Sequence, residues 1–151
     1  MKLELELINA NEFIEDITKD IIKDDVNEVV VGLFGEQGSD LVQYATDNEF
    51  GSDKIPPRSF IRWTITENED LIFNFIESGY GKILNNELTK KEMLEQLGLL
   101  IQMKIQERIT LLRYPPNAPA TIKKKKSSNP LIDTGRMRQS ITYKVGKFKD
   151  D

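Results

Sequence analysis

The chain has 151 residues, enough for one domain with a substantial buried core, and 30% of them are charged. It has no cysteine and no histidine, which excludes disulfides, thiol nucleophiles, histidine general bases and His- or Cys-ligated zinc. The net charge of −4 divides unevenly: residues 1–120 carry 12 Lys/Arg against 22 Asp/Glu, and residues 121–151 carry 9 against 3. An acidic body with a basic end suits either nucleic acid or the acidic body of a neighbouring copy.

In chain order, Leu3, Leu5 and Leu7 alternate with acids and predict a short strand, in a start too acidic for a secretory signal. Asn9 or Asn11 caps a predicted helix to about Lys23, with Phe13, Ile14, Ile17, Ile21 and Ile22 on one face. The β-branched run Glu28 to Phe34 predicts a well-buried strand, and Gly35 to Asp40 a loop or hairpin turn. Leu41 to Phe50 predicts a helix whose face is Leu41, Tyr44, Ala45 and Phe50, with Gly51 just past its end. After a break at Ser52 to Pro56, Pro57 is placed to open a short helix through Ile65.

Two capping boxes follow. Thr66 with Glu69 predicts a helix to about Leu84, weakened near its end by Gly79 and Gly81. Thr89 with Glu92 predicts the longest element, about residues 89–113, with Met93, Leu94, Leu97, Leu100, Ile101, Ile105, Ile109 and Leu112 facing a sheet. The prolines at 115, 116 and 119 interrupt the helices and predict a mobile basic loop over about 115–130. Asp133 or Thr134 then caps a short turn holding Arg136 and Arg138, and Ile141, Tyr143 and Val145 share one face of a last strand. Residues 146–151 read as a polar tail, and the chain has no internal repeat. The order of elements predicts an α+β domain, with several helices on a small, mostly antiparallel sheet.

Few groups invite chemistry. Lys123, Lys124, Lys125 and Lys126 offer phosphate contacts, yet no aromatic residue interleaves with them for base stacking, and such runs are usually solvated faces. Asp133-Thr134-Gly135 matches the aspartic-protease triplet in three residues only. Its basic flank would keep the carboxylate ionised, so a capping role is the better reading. Asp47, Glu49 and Asp53 lack the spacing of a calcium loop and read as a polar turn. Arg58 and Arg62 could grip an acidic partner, or simply pack as a pair.

Three stretches resemble, in order and spacing, the small morphogenesis proteins of tailed bacteriophages. Ala45 to Gly51 is similar to their Ala-x-x-x-Glu-Phe-Gly segment, and Ile55 to Phe60 to their Ile-Pro-x-Arg-Pro-Phe segment. Pro115 to Pro119, followed by a basic stretch and Pro130 to Ile141, is similar to their Pro-Leu-x-Asp-Thr-Gly-x-x-Arg-x-Ser-Ile end. Asn48 stands where histidine is common, and Ser59 where proline is common. The resemblance implies a virion protein, made in the host bacterial cytoplasm, that acts at the neck or the head-proximal end of the tail. It implies tail completion or head–tail joining, in a hexamer-like homo-oligomeric ring touching head-closure or tail-tube proteins. No enzyme activity, cofactor or membrane is expected. Contact with packaged DNA is the alternative for the basic arm. The residues expected at subunit or partner contacts are Glu49, Phe50, Arg58, Arg62, Lys123 to Lys126, Asp133, Arg136 and Arg138.

Overall fold

The computed structural model of the chain describes residues 26–147. The strand expected at residues 3–7, the helix expected at 9–23 and the end of the polar tail lie outside them. The described residues form six helices and a two-stranded antiparallel sheet, an α+β fold. Strand β1 (Glu28–Gly32) is followed by a 3-10 turn at Gly35–Gln37 and helix α1 (Ser39–Phe50). Helices α2 (Arg62–Glu67), α3 (Glu69–Leu84) and α4 (Lys90–Leu111) come next. Helices α5 (Pro119–Lys125) and α6 (Arg136–Ser140) precede strand β2 (Thr142–Gly146).

Helix α4 is the spine. Its capping box forms as the sequence predicts: Thr89 Oγ1 accepts from the Glu92 amide at 3.2 Å, and Glu92 Oε2 accepts from the Thr89 amide at 2.8 Å. Those bonds from Thr89, backbone first, hold the Glu92 carboxyl below its usual pKa. Met93, Leu94, Leu97, Ile105 and Ile109 are buried along one face, and α4 lies across both strands. The approach is close: a Cβ on Gly98 would stand 2.5 Å from the Tyr143 ring and 2.9 Å from Val29.

β1 and β2 come from opposite ends of the described chain. Val29 pairs with Val145 and Val31 with Tyr143, so four apolar side chains share the α4-facing side. The core has two parts. The larger gathers Leu41, Phe60, Ile105, Ile109, Leu131 and Ile141, and the smaller centres on Ile83, Met93 and Leu94. Gly79 is buried where α3 meets α4, since a Cβ there would stand 2.5 Å from the Met93 sulfur. The glycine read as weakening α3 is therefore a packing position, and the helix runs on to Leu84.

Several local expectations are corrected. β1 ends at Gly32 rather than Phe34, and α1 begins at Ser39, inside the expected loop. Pro57 opens no helix; the Pro56–Ile61 segment runs without one until Arg62. The Thr66–Glu69 box does not form, because α2 already occupies residues 62–67 and Asn68 sits at the junction with α3. Phe50 leaves the α1 core face and is 61% exposed. The basic stretch is not loop throughout: α5 spans 119–125, with Pro119 in its first turn, where a missing N–H costs nothing. Lys123, Lys124 and Lys125 lie in its last turn, beside the negative helix end, and Lys126 closes it with φ 57°.

Candidate functional site

The buried face of α1 contains Leu41 and Ala45 and then, three and four residues further on, Asn48 and Glu49. Two polar side chains at core-facing positions need partners, since an unpaired buried polar group costs about 1–3 kcal/mol. The partners come from the segment after α1. Gly51, with φ 85°, ends the helix and turns the chain; a Cβ there would stand 3.1 Å from the Pro57 ring. Residues 58–62 thereby run back along Asn48 and Glu49.

Glu49 is the centre of this latch. Its Oε2 accepts from the amides of Phe60 at 2.7 Å and Ile61 at 2.9 Å. Its Oε1 accepts from Ser59 Oγ at 2.7 Å, and from the Arg62 amide and Nε at 3.0 Å each. Burial alone pushes this carboxyl up. The bonds from Ile61, Ser59, Arg62 and Phe60 outweigh it and hold the pKa below the usual glutamate range. Both oxygens are occupied by donors of the chain itself, so Glu49 serves as a structural anion.

Arg58 is the second anchor. Its Nη1 donates to Asn48 Oδ1 at 3.0 Å, its Nε to the Pro115 carbonyl at 2.7 Å and its Nη2 to the Pro116 carbonyl at 3.0 Å. Asn48 Nδ2 in turn donates to the Tyr44 carbonyl at 2.8 Å. Burial lowers the Arg58 pKa, with Tyr44 pulling the other way, and an arginine so placed keeps its charge. Five donors in a planar fork let it bind two successive proline carbonyls and α1 at once.

Asn129 is a third anchor and was not singled out in the sequence. Its Nδ2 donates to the Ile109 carbonyl at 3.2 Å and the Thr110 carbonyl at 3.0 Å, satisfying the open end of α4. Its Oδ1 accepts from the amides of Leu131 at 2.9 Å and Ile132 at 3.1 Å. Asn117 Nδ2 reaches the Pro130 carbonyl at 3.4 Å. The only sequence signal for these anchors was an asparagine beside proline. That pattern usually reads as a turn.

The expected contact residues thus divide. Glu49 and Arg58, at 4% and 5% exposure, face inward and are satisfied within the chain, which removes them from the partner surface. Arg62 and Phe50 are exposed together, with the guanidinium 4.5 Å over the ring. Lys123 and Lys124 are exposed on α5 and Lys126 just past its end, whereas Lys125 turns in, its Nζ 3.1 Å from the Tyr44 hydroxyl. Arg136 is exposed and reaches Asp40 Oδ2 at 3.3 Å and the Gln37 carbonyl at 3.4 Å. Arg138 is exposed and donates to Thr110 Oγ1 at 3.2 Å. Asp133 is exposed. It is Thr134 Oγ1 that accepts from the Arg136 amide, at 3.4 Å.

A cleft of about 310 Å³ opens between α1 and the 131–137 turn, with Tyr44, Lys125, Asp133 and Arg136 in its wall. Asp47 accepts from Gln43 Nε2 at 2.8 Å, and Glu49 is committed to residues 59–62. Among the described residues no three acidic side chains gather as a metal site, and no helix is long and apolar enough to cross a membrane. Compared with known protein families, with curated proteins and with solved structures, the chain matches none.

Proposed function

We propose that the chain is a non-enzymatic structural protein of a tailed-phage virion, acting as a ring at the neck or the head-proximal end of the tail. One observation carries the reading. The first two stretches that resemble the phage morphogenesis proteins, neighbours in sequence, meet the Pro115–Pro116 part of the third at the latch built on Asn48, Glu49 and Arg58. Asn48 and Arg58 also line a cleft of about 540 Å³ with Tyr44, Lys54 and Lys125, yet their polar atoms are paired within the chain. Here the patterned residues tie α1, residues 58–62 and the 115–116 prolines into one body. That is what a rigid ring subunit needs. The exposed set, Phe50 with Arg62, Lys123, Lys124, Arg136 and Arg138, is left for neighbours.

The test is assembly in vitro. Purified protein, mixed with its head and tail partners, forms rings or joins neck assemblies in negative-stain images. Arg136→Glu is expected to leave the fold intact, since an exposed ion pair contributes about 0–1 kcal/mol, and to weaken assembly. Persistent failure of the wild type to assemble with any neck partner would count against the reading.

A second reading has its own observation: α5 presents Lys123 and Lys124 exposed on one short helix, a surface suited to phosphates. It predicts DNA retention that falls with salt and disappears when Lys123 to Lys126 become Ser.

A further inference from the structure

Helix α3 is apolar on two sides. Phe75, Gly79 and Ile83 turn toward α4. A second stripe, Asp70, Phe73, Glu77, Tyr80 and Leu84, recurs at alternating steps of three and four and faces away from it. Phe73 is 67% exposed, Tyr80 43% and Leu84 46%. Such a seam on a water-exposed helix asks for a partner. Its surroundings are acidic: residues 67–87 hold five Asp/Glu and one lysine. Among the described residues Asp70 and Glu77 make no ion pair.

The complementary surface is on the same chain. Residues 121–138 hold six Lys/Arg and one Asp. Lys123 and Lys124 project from α5, and Pro119, Ala120 and the 82% exposed Tyr114 supply apolar area at its start. We infer that the acid-rimmed seam of α3 on one copy receives the basic α5 of a second copy. The lysine ammonium groups meet Asp70 and Glu77 and the faces of Phe73 and Tyr80, while their methylene stems cover Leu84. The two surfaces differ, so the contact is head-to-tail and repeats around a ring when the rotation closes. Nucleic acid would satisfy the lysines but repel the acids of the seam, which favours a protein occupant. This contact rests on the ring reading and gives that ring its interface.

The test is a charge exchange in the full chain. Sedimentation velocity over a concentration series, alone and with head and tail partners, compares four proteins. They are the wild type, Lys123→Glu with Lys124→Glu, Asp70→Lys with Glu77→Lys, and the combination of all four changes. Each pair of reversals is expected to weaken self-association about tenfold or more, through like-charge juxtaposition. The combination is expected to return to within about threefold of wild type, because coupled sites are not additive. Thermal midpoints monitor the monomer fold throughout. Rings unaffected by either reversal would overturn this contact and leave the ring reading standing. So would failure of the combination to restore association with its fold intact, or loss of DNA retention with assembly unchanged. A wild type that stays monomeric under every condition would overturn the ring reading and this contact together.

Discussion

At the scale of single residues, Glu49 carries the most weight. It is a carboxylate on the buried face of α1, held by the amides of residues 60, 61 and 62, Ser59 Oγ and the Arg62 guanidinium. Its folded pKa lies below the ordinary value of 4.5. The stabilisation is therefore fully present above the unfolded pKa and is lost as pH falls through the folded one. Glu49→Gln is expected to cost about 2–4 kcal/mol at neutral pH, since hydrogen bonds to a charged group contribute more than neutral ones. The measurement is urea unfolding of both proteins between pH 7 and pH 3. The gap between them narrows as pH falls below the unfolded pKa, where the unfolded glutamate takes up a proton that the native one still refuses. A gap unchanged down to pH 3 would mean that the charge is not what holds residues 59–62. Little of this was legible in the sequence. Asn48 and Glu49 follow Leu41 at seven and eight residues, the spacing of the core face, and polar residues there read as solvent-facing. Their partners are backbone amides, which no side-chain pattern reveals.

At the scale of elements, α4 was the most legible, because a 22-residue apolar periodicity with its own capping box leaves one interpretation. The face of β2 was legible, but β1 was expected to be well buried and instead exposes Glu28 and Val30, and their pairing was not legible, since all six helices separate them. α5 was missed. Prolines that break a helix when interior start one when they stand in its first turn, and Pro119 does the latter. The 129–145 stretch reads in the sequence as a capped turn and a strand, and the structure adds its anchor. Asn129 closes α4 and fixes the amides of Leu131 and Ile132 with one side chain. Asn129→Ala leaves these groups without it and is expected to destabilise the fold by about 2–3 kcal/mol, read as a lower thermal midpoint. Loss below about 0.5 kcal/mol would show that water replaces the side chain.

At the scale of the whole molecule, charge and rigidity act together. The latch joins α1, residues 58–62 and the proline segment. α4 clamps the sheet over Gly98, and Asn129 binds the 129–132 turn to the end of α4. What remains outside is an acidic apolar seam on α3 and a basic α5 with the Arg136–Arg138 turn, the two surfaces that the proposed contact brings together. The central claim is a joint between head and tail, and the most direct measurement is electron microscopy of particles assembled without this protein. Loss of such a joint is expected to leave tailless heads beside free tails, or tails of abnormal length if the ring stops tail growth. Normal, infectious virions would contradict the claim.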